Sequence, residues 1–465
     1  MGTLKNIFNI ERSVLLITIL NILLIFATLV ASNEYFKKHS WIYYGIQSIL
    51  LIPYIIHKTR YVKDLFLPST FVLFYYLVNQ FLGSTVVPLG YGIDKQFTLD
   101  ILSVNSYKVI VPYFLIINLV LFILSSYSLK EIKEKYNTIF PLKAKSKFYP
   151  GPIVDNLISI LLLIVFVIIS YFEIFMAFAF QLAIMVIICS RNSDSRKWIR
   201  YISYIISLTA LVLLNFGDKR EIVIIFFLIV FFESYHKRWI LRFTIRRLLL
   251  YLAIGAFFLS LILAASILRG YGQFNPKSLT DVVKYVPEYI KSDIFIDGFA
   301  ENLELNYCYG TAVTSMNQIL NGELKYQFGL TLLKVFFIPV PRELFPWKPN
   351  SMMQIYTKKR NPEYYNSGGS YPIIFQCDMF LNFHFLGIIP FFLIWYLINS
   401  FYIKFHKMTK QNLKFFSYPF LFITILIFAR GSGLELYIIH YLFGLVIFGL
   451  YILLLNYMYR LKHLN

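Results

Sequence analysis

Four short stretches of this chain put cationic side chains beside turns: Asn215-Phe-Gly-Asp218-Lys219-Arg220-Glu221, Arg269-Gly-Tyr-Gly, the run from Pro341-Arg342 to Lys348-Pro349, and Arg430-Gly-Ser-Gly433. A guanidinium is always charged and grips phosphate oxygens in pairs. Arginines gathered at one site would hold a diphosphate and stabilise it as a leaving group. Each arginine alone has a plainer reading, as a side chain that snorkels to the membrane interface at a helix end. Trp347 stands between Arg342 and Lys348, an arrangement in which a ring stacks on a sugar face while charges hold hydroxyls or phosphate. The triplet Lys358-Lys359-Arg360 adds further cations, or forms a solvated turn. Asp378 is the candidate to accept a proton from an attacking hydroxyl, or else to favour a helix start through the dipole. Asp297, Glu301, Glu304 and Glu435 are rival bases, and His440 reads as a packing histidine.

These residues must be positioned by a membrane protein. Of the 465 residues 58% are hydrophobic and only 15% charged, against about 25% charged in a soluble domain. Apolar runs long enough to cross hydrocarbon recur at Val14–Ala31, Trp41–Ile56, Leu65–Leu82, Val109–Tyr127, Ile153–Tyr171, Phe172–Cys189, Ile199–Phe216, Glu221–Tyr235, Leu248–Ile267, Met379–Phe401, Phe415–Ala429 and Leu434–Tyr457. The expected fold is an all-α integral membrane protein of about twelve transmembrane helices. Residues 1–267 hold spans one to nine, 268–377 form one large extracytoplasmic loop, and 378–465 hold the last three spans.

Orientation follows from charge. With the N-terminus inside, the inner loops collect Lys58, Arg60 and Lys63, the lysines from Lys130 to Lys147, Arg191 to Arg200, Lys237 to Arg247, and Lys404 to Lys414. The short outer loops hold far fewer. Both termini therefore face the cytoplasm and the long loop faces outward. The net charge of +20 belongs to this asymmetry, because no basic domain stands apart from the spans to bind nucleic acid.

Within the loop, Leu279–Lys291 shows a helical stripe that Pro287 weakens, Ala300–Leu320 reads as a helix, and Leu330–Phe337 is apolar up to Pro339. Ser367-Gly-Gly-Ser370 reads as a hinge. Helices of this kind would lie on or dip into the membrane surface. Cys308 and Cys377 lie in or beside the loop, so a disulfide and separate thiols are both open. The spacing of Cys189, Cys308 and Cys377 offers no metal site, and HExxH, CxxC and glycine-rich phosphate-loop patterns are absent.

The combination resembles the Wzy-type O-antigen and oligosaccharide repeat-unit polymerases. The likeness rests on the twelve spans, the Gly217-Asp-Lys-Arg220 hairpin, Arg269, the Pro-Arg-x-x-x-Pro-x-Lys-Pro run at Pro341–Pro349, Asp378-x-x-x-Asn382 with Gly387, and Arg430-Gly. The family's Asn-Phe-Gly order is interrupted here, where His384 follows Asn382-Phe383. The resemblance implies a class C-like glycosyltransferase in a bacterial inner membrane. Its donor and acceptor would be undecaprenyl-diphosphate-linked oligosaccharides, with no metal or other cofactor and a chain-length regulator as partner. It implies catalytic roles for Asp378, Arg220 and Arg342, and substrate contacts from Lys219, Arg269, Trp347, Lys348, Arg360 and Arg430. The alternatives are an O-antigen ligase and a flippase of lipid-linked sugars. The ligase relies on a loop histidine, and none lies between Arg269 and Gln376.

Overall fold

A computed structural model describes residues 2–59, 67–91, 95–136, 279–302, 305–337, 340, 344–408, 428–431 and 433–434, with isolated residues elsewhere. All regular structure among the described residues is helical. The chain divides into two compact units, and the account below concerns the first, made of residues 1–139, 270–403 and 426–436.

Four long helices form its frame: α1 (Gly2–Val30), α2 (Asn33–Thr59), α3 (Pro68–Val86) and α5 (Tyr107–Tyr136), with the short α4 (Lys95–Leu102) between the last two. The expected spans Val14–Ala31, Trp41–Ile56, Leu65–Leu82 and Val109–Tyr127 fall within them. α3 begins at Pro68 because proline suits a first helical turn, where its missing N–H has no partner to lose. α2 and α5 pack on each other and on α3, and α1 packs mainly on α5. The two-residue turn between α1 and α2 lies beside the start of α5, where the Lys108 N–H donates to Asn33 Oδ1 at 2.9 Å. Among the described residues three segments are, by length and composition, long and apolar enough to cross a membrane: 12–30, 107–128 and 375–403. The second is the buried centre and the first lies at the periphery.

The segment after residue 278 supplies α6 (Leu279–Lys291), α7 (Phe295–Asn302), α8 (Leu305–Leu320), α9 (Leu330–Leu333) with a 3-10 turn at Lys334–Phe337, α10 (Met352–Arg360) and α11 (Pro362–Asn366). Then come α12 (Phe375–Phe383), a 3-10 turn at His384–Gly387 and α13 (Ile388–Met408). α6 runs through Pro287 to Lys291, with Tyr289 buried and edge-on to Phe295 at 5.8 Å. Of the helix expected over Ala300–Leu320, the described residues form the end of α7, to Asn302, and α8, from Leu305. α8 is a core helix. It packs on α3, α4 and α12, and buries Cys308, Tyr309, Ala312, Val313 and Met316. Gly310 lets it approach α4 so closely that a Cβ would strike Ile101 and Phe97.

The span expected at Met379–Phe401 is not one straight helix. His384 takes φ 56°, and a Cβ on Gly387 would collide with the Met379 carbonyl. Eight residues along a straight helix are about 12 Å apart, so the chain turns back on itself here. The ring of Phe375 accordingly meets Phe391 at 5.7 Å and Trp395 at 6.3 Å. α12 and the first half of α13 form a helical hairpin.

A buried chain of amides ties this hairpin to the frame. Gln47 Nε2 donates to Asn21 Oδ1 at 3.0 Å. Asn118 Nδ2 donates to Gln47 Oε1 at 2.9 Å and to Gln80 Oε1 at 2.7 Å. Gln80 Nε2 reaches Gln376 Oε1 at 3.3 Å, and the Tyr113 hydroxyl donates to the Gln376 carbonyl at 2.9 Å. The network joins α1, α2, α5, α3 and α12 where water is excluded. A second cluster holds α13, with Asn399 Nδ2 donating to Ser69 Oγ at 2.7 Å.

The expected spans Ile153–Tyr171, Phe172–Cys189, Ile199–Phe216, Glu221–Tyr235, Leu248–Ile267, Phe415–Ala429 and Leu434–Tyr457 lie wholly or nearly wholly outside the described residues.

Candidate functional site

Asp378 is the fourth residue of α12 and is 7% exposed. Its carboxylate is oriented by a side chain one turn on, since Asn382 Nδ2 donates to Asp378 Oδ1 at 2.9 Å and to the Asp378 carbonyl at 2.8 Å. Residues four apart share a helix face, so the Asp-x-x-x-Asn spacing makes this contact local. Asn382 is also the anchor of the preceding segment. Its Oδ1 accepts from the Gly329 N–H at 2.9 Å and from the Thr331 hydroxyl at 3.1 Å. The same hydroxyl lies 3.4 Å from Asp378 Oδ1. Gly329 reaches this position at φ 86°, in the left-handed region that glycine occupies without a steric cost. Phe328 precedes it at φ 47°, with its N–H donating to the Asn382 carbonyl.

Above Asp378 is a cavity of about 10 Å³, room for about one water molecule. Thr331, Ser351, Met352, Met353, Ile373, Asp378 and Gly433 line it. Ser351 caps α10 in a reciprocal pair with Gln354. Gly433 comes from the Arg430 hairpin. The fit of that hairpin against the entry to α12 is tight: Gly431 has φ 115°, and a Cβ there would strike the Ile373 backbone. The Arg430 carbonyl faces the Cys308 thiol of α8. The structure therefore brings together Asp378 and the Arg430 hairpin, which are separated by some fifty residues of sequence.

The other sequence candidates divide. Arg360 is engaged within the protein. Its guanidinium pairs with Asp100 at 2.7 Å and lies over the Phe97 ring at 4.4 Å and the Tyr371 ring at 5.7 Å. Desolvation works against its charge, but Tyr356 and Asp100 outweigh it and raise the Arg360 pKa. Burial pushes the neighbouring Tyr356 phenol up to about 12, with the Arg360 charge pulling the other way. Tyr356 shares a hydrogen bond of 2.6 Å with Thr314. Lys358 and Lys359 of the same triplet are exposed. Lys348 Nζ donates to the Val340 carbonyl at 3.1 Å, and Trp347 is 85% exposed. Asp297 is buried in α7. Cys308 and Cys377 are buried, with Cys377 Sγ 3.2 Å from Ser315 Oγ. Arg220, Lys219, Arg269, Arg342, Glu304, Glu435, His440 and Cys189 lie outside the described residues, as does the side chain of Glu301. Among the described residues no cluster of three His, Cys, Asp or Glu side chains could hold a metal ion.

Sequence reasoning named Asp378 and Asn382 but missed Thr331, Ser351 and Gly329. Gly329 ahead of an apolar run was the available signal for a sharp turn. Nothing local marks Ser351, whose part depends on folding.

Chemically, the arrangement is a carboxylate with one oxygen fixed by an amide and a hydroxyl, opening on a small polar space. It can accept a proton from a hydroxyl placed in that space, or stabilise positive charge there. The fold and this site define a protein that is helical throughout its described residues, with helices long and apolar enough to cross a membrane and a buried, oriented carboxylate. No family model, curated protein or solved structure matches the chain.

Proposed function

We propose that this protein is a membrane glycosyltransferase that polymerises polyprenyl-diphosphate-linked oligosaccharide repeat units on the outer face of a bacterial plasma membrane. The observation that carries the reading is the Asp378 carboxylate, held by Asn382 and Thr331 and facing a cavity bordered by the Arg430 hairpin. The charge asymmetry of the loops supports an outward-facing site with both termini in the cytoplasm.

In the proposed reaction a hydroxyl of one lipid-linked unit attacks the anomeric carbon of the donor. The new glycosidic bond forms as the bond to the diphosphate oxygen breaks, and polyprenyl diphosphate leaves with the electron pair. Asp378 takes the hydroxyl proton. Arg342 and Arg430 are proposed to balance the charge that builds on the leaving diphosphate. Lys219, Arg220, Arg269 and Lys348 are the further cationic candidates that the sequence offers. A chain-length regulator is the proposed protein partner.

A strain lacking the protein is expected to export single lipid-linked units that carry no ladder of longer glycans. Units trapped inside the cell would instead mark a transporter. A complete ladder left unattached to its lipid acceptor would mark a ligase. With purified protein, Arg220→Ala and Arg342→Ala should each abolish chain growth while the protein still inserts. Unchanged growth in both would remove those two residues from the site.

A further inference from the structure

Residues 328–347 carry apolar side chains on their surface that no part of the described protein covers. Phe328, Phe336, Leu344 and Trp347 are 79%, 76%, 78% and 85% exposed, and Leu330 and Leu333 are about half exposed. Single exposed apolar residues are ordinary, but six within one segment make a patch that needs a partner.

The patch is held in shape. The rings of Phe337 and Phe345 stack at 4.9 Å and 5°. Trp347 stands edge-on to Phe345 at 5.9 Å. Lys348 Nζ closes the segment by donating to the Val340 carbonyl. Its base is stitched to the end of α12, with the Gln327 N–H donating to the Leu381 carbonyl and the Phe328 N–H to the Asn382 carbonyl.

That attachment makes the patch continuous with a second apolar surface. In the α12–α13 turn and beyond it, Leu386, Ile389, Leu393 and Leu397 are 70%, 60%, 49% and 62% exposed. The spacing of four places Ile389, Leu393 and Leu397 on one face of α13, opposite the buried Phe391, Trp395 and Asn399. An outward apolar stripe on a helix of a membrane-crossing segment is the face that meets hydrocarbon. The exposed Lys325 stands at the near margin of the patch and Lys348 at the far one. Tryptophan and phenylalanine flanked by lysine is the composition of elements that rest in the headgroup region beside anionic lipid.

We propose that the apolar side chains of residues 328–337 and 344–347 form a lipid-embedded anchor, with Phe336, Leu344 and Trp347 inserted at the headgroup–acyl boundary of the same leaflet that the exposed stripe of α13 enters. Insertion would fix the height of Gly329 and Thr331, and so of the Asp378 cavity, relative to the bilayer surface. On this assignment Trp347 is a lipid contact in place of a sugar platform. The inference does not depend on glycosyl transfer.

The test uses the full chain at one copy per nanodisc, in phosphatidylcholine with phosphatidylglycerol. The emission of Trp347 is isolated as the difference between the wild type and Trp347→Phe. It should be blue-shifted, lost when the lipids carry bromine on their acyl chains, and retained in acrylamide. A second variant, Leu344→Trp in the Trp347→Phe background, should regain emission that brominated lipid removes. Emission that acrylamide removes and bromine spares, in either comparison, overturns the proposal. So does protection from acrylamide that arises only with two copies per disc, which would make the occupant a second copy of this chain.

Discussion

Asp378 and Asn382 sit one turn apart on α12 but do different work, and their variants should separate. Asp378→Asn keeps the volume and leaves a carbonyl oxygen to accept from Asn382 and Thr331. It removes the charge and the basicity. Chain growth should fall by about 10²–10⁴, the range for loss of a positioned general base, while the thermal unfolding midpoint in nanodiscs stays close to the wild type. Asn382→Ala does the reverse kind of damage. It leaves the Gly329 N–H without its acceptor in a buried place, and leaves the Thr331 hydroxyl only the longer contact to Asp378 Oδ1. An unmet buried donor costs about 1–3 kcal/mol, so the midpoint should drop clearly and activity should follow it. If Asp378→Asn retains full polymerisation, the carboxylate is structural. Tyr356 offers a pH test outside the spans. Burial raises its phenol to about 12, against an ordinary value of about 10. Folding therefore favours the neutral form. That contribution is complete below pH 10 and is lost as pH rises from 10 towards 12. Tyr356→Phe should be less stable at pH 8, having lost the Thr314 bond, yet should show a shallower loss of stability above pH 10. An unchanged alkaline slope would show that the phenol does not titrate with unfolding.

At the scale of elements, the α12–α13 hairpin sets the site. A methyl group on Gly387 cannot fit against the Met379 carbonyl, so Gly387→Ala must open the turn and displace Asp378, one residue from Met379. Gly322→Ala is the matched control. Gly322 has positive φ, at 76°, which makes a side chain there costly, but nothing lies near enough to meet a Cβ. Both substitutions should cost about 1–2 kcal/mol, seen as lower unfolding midpoints, but only Gly387→Ala should lose chain growth out of proportion to folded protein. Equal activity in the two would mean that the turn does not position the carboxylate. The hairpin was not legible in the sequence, because Met379–Phe401 has the length and hydropathy of a single span and hydropathy carries no direction. The reversal depends on His384 at positive φ and on the close approach at Gly387, and both are tertiary facts. The four frame helices were legible, since each carries an apolar run close to the length that crosses hydrocarbon, and such runs admit few other structures in lipid.

The whole unit is held by contacts that hydropathy profiles ignore. Asn21, Gln47, Gln80, Asn118 and Gln376 each interrupt an otherwise apolar stretch, and singly each reads as a tolerated polar residue. Together they are one hydrogen-bonded path from the N-terminal helix to the helix that carries Asp378. Lipid gives helices no hydrophobic reason to associate, so packing and interhelical hydrogen bonds of this kind decide the arrangement. The path predicts a graded series. Asn118 donates to two neighbours on two different helices, whereas Asn21 joins the path through Gln47 alone and also bonds within its own helix, to the Ile17 carbonyl. An interhelical bond in a membrane contributes about 0.6–2 kcal/mol. Asn118→Leu should therefore destabilise the unit by roughly twice as much as Asn21→Leu, measured as unfolding midpoints in nanodiscs. Because Gln80 and Gln376 stand between Asn118 and the site, Asn118→Leu should also slow chain growth at saturating donor, and Asn21→Leu should not. Equal effects on stability and on rate from the two variants would mean that the amides act as independent contacts, with the site helix held in place by packing on α8 and α5 alone.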